Sequence, residues 1–177
     1  MKKNPTKGPF LFEQMFRLLD EHQVKYLVIG GLAVNLHGYD RVTGDLDIIV
    51  SFEKENLEAL VAAIKSLGWR SRLPVPLEAF ADSDKRKSWI EEKGMRVFTV
   101  YNPRNEAEHL DIMTENYLDF KKAYRGKKVV SAGGVPIPLV SIPDLIRLKK
   151  IAGRGRDKID IGALEKIQEF NRGEKKK

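Results

Sequence analysis

The chain reads as one α/β (α+β) domain, a mixed β-sheet flanked by helices. Three observations lead there. Its 177 residues, 42% hydrophobic and 32% charged, suit one domain with a proper core. Short apolar runs of strand length alternate with longer segments whose apolar residues recur at 3,4 spacing. Neither an internal repeat nor an interdomain linker interrupts that alternation. The domain is expected over 10–171, with a disordered basic tail at 1–9 and a second basic tail at 172–177.

Each element has a local reason. Phe12, Met15, Phe16 and Leu19 share one face of a helix expected from about Pro9 to His22. "KYLVIG" (25–30) reads as a strand, and "GLAVNLHG" (31–38) as a short helix closed by Gly38. "DLDIIV" (45–50) is a second strand. The next helix, 51–68, has a stripe of Leu57, Leu60, Val61 and Ile64 and a stop at Gly68. Segment 70–94 is polar, with Pro74, Pro76 and "DSDKRK", and reads as an irregular surface excursion. Strands are expected at 94–103 and 109–114, and a helix at 116–124. "VVSAGGVPIPLVS" (129–141) resembles a hairpin turning at Gly133-Gly134. Ser141 then caps a helix over about 142–152, with Pro143 in its first turn and Asp144 three residues after the cap. Gly153-Arg154-Gly155 breaks that helix, and a last one runs from about Arg156 to Asn171.

Composition removes several kinds of chemistry. With no cysteine, structural disulfides, thiol nucleophiles and Cys-based zinc sites are excluded. Three histidines (His22, His37, His109) without metal-site spacing make a histidine zinc centre a poor reading. The basic N-terminus has too short an apolar stretch for a secretory signal, and no run suffices to span a bilayer. A cytoplasmic protein with no membrane partner is therefore expected. The net charge of +7 gathers largely at the ends. It suits solvated tails, and equally an anionic partner such as a nucleotide or nucleic acid.

The chemistry is concentrated in "YLVIGGLAVNLHGYDRVTGDLDIIV" (26–50). Side chains alternate along a strand, so Asp45 and Asp47 share one face while Leu46, Ile48 and Val50 turn to the core. Thr43 extends the acidic face backwards if the strand starts early. Two adjacent carboxylates raise each other's proton affinity unless a cation lies between them. Magnesium suits such a site, because it prefers carboxylate and phosphate oxygens. Asp111 in "HLDIMT" is a third strand carboxylate backed by Leu110 and Ile112. Three acids on neighbouring strands could hold one or two Mg2+, with Mn2+ as a substitute. Gly30-Gly31 ends a strand and opens a helix, where missing side chains admit a phosphate; a plain tight turn is the alternative.

In that order — strand, GG, short helix, strand with DxD, later strand Asp — the chain resembles the nucleotidyltransferase superfamily with the DNA-polymerase-beta-like palm. The form "IGGLAVNLHGYDRVTGDLDIIV", with Arg41 and Thr43 before the DxD, is most similar to small bacterial AbiEii-toxin-like nucleotidyltransferases of abortive-infection and toxin–antitoxin systems. "LKKIAGRGRDKIDIGALEKI" is similar to the family's second pattern, with Lys149, Arg154, Arg156, Asp157 and Asp160 in its positions. The resemblance covers roughly 24–50, 109–113 and 141–165. It implies a nucleotidyltransferase-like fold, with Gly30 and Gly31 at the triphosphate and Asp45 and Asp47 on both metals. Asp111 would bind the catalytic metal and help deprotonate the acceptor. Arg41, Thr43, Lys149 and Arg154 would face the nucleotide. The departure is Gly31, where these families commonly have a serine whose hydroxyl touches phosphate.

Plainer roles compete at several positions. Arg41 could pair with the DxD acids, serve a structural ion pair or meet a nucleotide. Lys149 and Arg154 also suit a helix C-terminus. Asp157 and Asp160 read as helix N-terminal acids and ion-pair partners, and His109 as a structural histidine. Trp69, Trp89 and Tyr101 read as core or surface rather than base-stacking groups. The activity implied is Mg2+-dependent transfer of an NMP group, from an NTP such as ATP, to an acceptor hydroxyl on RNA, protein or a small molecule. RNA is mildly favoured by the charge, and an antitoxin is a possible protein partner. A non-catalytic nucleotide- or RNA-binding module on the same fold is the alternative.

Overall fold

The computed structural model describes residues 12–174. The expected tail at 1–9 and residues 175–177 of the expected tail at 172–177 lie outside the described residues. Fifteen elements follow in order: α1 (Glu13–Glu21), β1 (Tyr26–Ile29), α2 (Gly30–Leu36), β2 (Leu46–Val50), α3 (Lys54–Ser66), β3 (Arg70–Ser71), a 3-10 turn (Leu77–Ala81), α4 (Ser83–Lys93), β4 (Val97–Asn102), β5 (Asn105–Met113), α5 (Phe120–Arg125), β6 (Lys128–Ala132), β7 (Val135–Leu139), α6 (Ile142–Ala152) and α7 (Gly155–Glu174). The strands form one seven-stranded mixed sheet in the order β3-β4-β5-β2-β1-β7-β6.

Pairing follows the hydrophobic pattern. β1 is buried at every position and runs antiparallel to β2, with Ile29 opposite Asp47. β2 runs parallel to β5, which places Leu46, Asp47 and Ile48 beside Leu110, Asp111 and Ile112. The four aliphatic side chains of that match are fully buried. The core face is covered by α1 and α3, which supply Met15, Phe16, Leu19, Leu57, Leu60 and Ile64. Buried Asn56 of α3 closes the bottom of the sheet. It accepts from the Lys25 N–H at 2.6 Å and donates to the carbonyls of Lys25 (3.1 Å) and Ser51 (2.8 Å).

The caps expected from local sequence form. Ser141 Oγ accepts from the Asp144 N–H at 3.3 Å and Pro143 lies in the first turn of α6. Gly153 ends that helix with φ 62°, and the β6–β7 hairpin turns at Gly133-Gly134. The expected helix at 116–124 begins later, at Phe120, because Asp119 caps it while Asn116 donates to the Val50 carbonyl. α7 runs three residues past the expected end at Asn171.

Segment 70–94 is the main correction. It is not an irregular excursion. β3 adds a short edge strand, and the turn and α4 bury Leu77, Ala79, Phe80 and Trp89. Trp89 stacks on Phe98 with ring centres 5.5 Å apart, and Phe80 meets the same ring at 5.1 Å. Asp82 caps α4 by accepting from the N–H groups of Asp84 and Lys85. A few aromatic anchors dock an otherwise polar helix, so no apolar stripe marked it in the sequence.

Candidate functional site

The acidic strand face depends on the register. Parallel pairing of β2 and β5 sets Asp47 directly beside Asp111, and antiparallel pairing of β4 sets Thr99 on the other side of Asp111. Thr99 Oγ1 donates to Asp111 Oδ1 at 2.6 Å and fixes that carboxylate's orientation. Thr99 was not singled out from the sequence. Strand alternation alone hints at it, and only the β4–β5 register brings it to Asp111.

Asp47 is half-buried. Burial first, then the charges of Asp111 and Asp45, push its carboxyl up from 3.8 to about 6, against the pull of Arg154 and Lys149. Gly30 lies under this carboxylate. It has φ 68°, and a Cβ there would collide with the Asp47 carboxyl group. The glycine is thus required by the backbone and by Asp47 itself, a reason distinct from phosphate access.

Asp45 is placed differently from expectation. It precedes β2, its side chain is mostly exposed, and Oδ1 lies 3.3 Å from His109 Nε2. Among the described residues no three His, Asp or Glu side chains are grouped closely enough to hold an ion. The Asp47–Asp111 pair suits a divalent cation in donor type, and burial, followed by the charges of Asp111 and Asp45, favours the protonated Asp47 carboxyl. Asp45 is turned toward His109.

The remaining residues fall into two groups. Gly30, Asp47, Lys149 and Arg154 line one cleft of about 510 Å³ between the sheet and α6. Val97, Met113, Leu145, Leu148, Arg96 and Tyr117 extend its wall away from the carboxylates. The Arg96 guanidinium donates to the Tyr117 hydroxyl and to Glu115. Neither Arg96 nor Tyr117 carried a motif signal. Gly31 forms the second group with Arg41 and Thr43: a Cβ on Gly31 would lie 2.7 Å from Thr43 Oγ1 and 3.3 Å from Arg41 Cζ.

A buried ionic network joins α6, α7 and Arg41. Lys149 Nζ donates to Asp160 Oδ2 at 2.7 Å and to Asp157 Oδ1 at 3.3 Å, and all three side chains are buried. Asp157 Oδ2 also accepts from the Arg154 N–H (2.9 Å) and Nε (3.2 Å). Burial pushes the Asp157 carboxyl up, but hydrogen bonds from Arg154 and Lys149 outweigh it and hold the group below its ordinary value. Arg41 pairs with Asp160 at 2.5 Å rather than with the strand acids. His109 meets Asp45, Trp69 and Trp89 are core residues, and Tyr101 lies under the Arg72 guanidinium.

No family model and no curated protein matches the chain. Solved structures do. The chain is similar to a lincosamide antibiotic adenylyltransferase, LnuA, in its lincomycin-bound form (17% identity, 93% of this chain and 99% of that one, TM-score 0.56). It is also similar to ANT(2")-Ia in complex with adenylyl-2"-tobramycin (16%, 89% and 90%, TM-score 0.52). A third relative in shape is an antigenic nucleotidyltransferase-like protein from Paracoccidioides brasiliensis (16%, 85% and 71%, TM-score 0.52). The class defined by sheet order, GG turn and paired strand acids is therefore the nucleotidyltransferase fold. Within that class, the chain shares with these neighbours a single α+β domain built on a mixed sheet with helices on it.

Proposed function

We propose that this protein is a Mg2+-dependent nucleotidyltransferase that moves an NMP group from an NTP to an acceptor hydroxyl. The observation that supports it most is the side-by-side placement of Asp47 and Asp111 on adjacent strands, with Asp47 lining a cleft that also presents Gly30, Lys149 and Arg154. Asp47 and Asp111 would hold the metal, with Asp45 joining them once it leaves His109. A bound divalent cation would neutralise phosphate charge and favour departure of pyrophosphate. The acceptor oxygen forms the new bond to the α-phosphorus while the bond from that phosphorus to the β-phosphate bridging oxygen breaks. Asp111, held by Thr99, would take the acceptor's proton. Exposed Arg154, more than Lys149 with its bonds to Asp157 and Asp160, would meet the triphosphate.

Two observations bear on the acceptor class. A net charge of +7 supports RNA, while two fold neighbours act on or carry antibiotics, which supports a small hydroxyl compound. Kinship to AbiEii-type toxins, with an antitoxin partner, rests on the "RVTGDLD" and "RGRDKID" segments. The engagement of Asp45 by His109 and the pairing of Lys149 support a second reading, a nucleotide- or RNA-binding module without chemistry.

Pyrophosphate release from each of the four NTPs, with RNA or with an aminoglycoside as acceptor, separates the two. Transfer should require Mg2+ and fall by roughly 100-fold or more in Asp111→Asn, the span of a lost general base. Mg2+-independent ligand binding with no release from the wild type would favour the binding module.

A further inference from the structure

Residues 39–45, between α2 and β2, form no helix or strand yet carry Arg41, Thr43 and Asp45. Apolar packing holds this segment poorly: Val42 is 95% exposed and Tyr39 only half-buried. Its anchors are polar. Asn35 Nδ2 donates to the Arg41 carbonyl at 2.7 Å, Asp45 meets His109, and Arg41 Nη1 reaches across 119 positions to Asp160 Oδ2. The last is the most buried of the three. The Asp160 carboxylate is 4% exposed and the Arg41 side chain 19%.

Asp160 is also the point where two cations meet. Its Oδ2 accepts from Arg41 Nη1 at 2.5 Å and from Lys149 Nζ at 2.7 Å. Lys149 is in turn held by Asp157, which Arg154 caps. Three cations therefore share two carboxylates, and Lys149, Asp157 and Asp160 sit on two helices that pack on each other. The same guanidinium and the Thr43 hydroxyl face Gly31, where an added Cβ would lie 3.3 Å from Arg41 Cζ and 2.7 Å from Thr43 Oγ1. The chain of contacts runs from α7 to the second glycine of the GG turn.

We propose that Asp160 is a positioning residue: through Arg41 it seats the 39–45 segment, and with it Thr43, against Gly31, and so sets the wall against which a nucleoside triphosphate lies. The clause about the triphosphate rests on the nucleotidyl-transfer reading; the seating of the segment does not. Lys149 acts in the same device, as the second cation bonded to the buried Asp160 Oδ2 that Arg41 meets.

Asp160→Asn, Arg41→Ala and the double variant test this, with Asp157→Asn as a comparison that touches Lys149 but not Arg41. Three quantities are read: amide hydrogen exchange over 39–45, Mn2+ binding alone, and calorimetric affinity for each Mg2+–NTP. Asp160→Asn should speed exchange over 39–45 by about fivefold or more while the core strands stay protected. Triphosphate affinity should fall roughly tenfold with Mn2+ affinity held within about twofold, and the double variant should lose no more than either single one. Asp157→Asn should leave exchange over 39–45 unchanged. Unchanged exchange in Asp160→Asn, equal loosening in Asp157→Asn, additive losses, or tighter triphosphate binding would each overturn the proposal. Should Asp160→Asn not fold, Arg41→Ala carries the same expected exchange and affinity changes. A wild type that binds no triphosphate refutes the nucleotidyl reading, while localised exchange in Asp160→Asn would still uphold the seating of the segment.

Discussion

Replacing Asp47 by Asn is expected to stabilise the metal-free protein at neutral pH while removing the carboxylate its proposed function needs. The carboxyl is raised from 3.8 to about 6 in the fold, by burial first and then by Asp111 and Asp45. A carboxyl whose value is raised on folding favours the folded state while protonated. That contribution is full below pH 3.8 and is lost as pH climbs through about 6. The gap of about 2 pH units, at about 1.36 kcal/mol each, amounts to about 3 kcal/mol of destabilisation above pH 6.5. Asparagine has nearly the same shape and carries no charge, so it escapes this cost. For a chain of 177 residues, about 2.1 cal/mol/K of unfolding entropy per residue turns 3 kcal/mol into about 8 °C of melting temperature, and about 4 °C if water reaches half the effect. Thermal melts in EDTA at pH 4.5, 5.5, 6.5 and 7.5 measure it. The variant should gain on the wild type steadily up to pH 6.5 and then hold its lead. A variant equal to or below the wild type at pH 7.5, or a gap that does not shrink toward pH 4.5, would refute the reasoning.

Two further perturbations follow from single contacts. Asn56→Ala removes three hydrogen bonds and takes the side-chain partner from the Lys25 N–H and the Ser51 carbonyl, while the Lys25 carbonyl keeps the Ser51 N–H at 3.1 Å. Urea unfolding should show a loss of about 2–4 kcal/mol, and a loss under about 0.5 kcal/mol would show that water replaces the amide. Gly30→Ala forces a Cβ into the Asp47 carboxylate at φ 68°. Stability should drop by about 2 kcal/mol or more, and Mn2+ binding should weaken with it; full retention of both would mean that the GG turn is not tied to Asp47.

Much of the fold was legible because its signals are local. Ser141 with Pro143 and Asp144 announces α6, Gly133-Gly134 announces the β6–β7 hairpin, and the Leu57–Ile64 stripe announces α3. Each rests on a few adjacent residues whose backbone preferences agree. α4 stayed hidden for the opposite reason. Its Trp89 and the preceding Phe80 are placed by Phe98 of the next strand, β4, a contact between elements that no apolar stripe within α4 encodes.

The site divides along the same line. Alternation along β2 and β5 determined, from the sequence by itself, that Asp47 and Asp111 turn away from Leu46, Ile48, Leu110 and Ile112. Only the tertiary structure decided that the two acids stand side by side, since a one-residue slip of the parallel pairing would turn one of them into the core. It also decided that Asp45 faces His109 and that Arg41 belongs to Asp160. Those partners lie 64 and 119 positions away, and no local periodicity encodes which of several charged neighbours a long side chain will reach once the helices have packed.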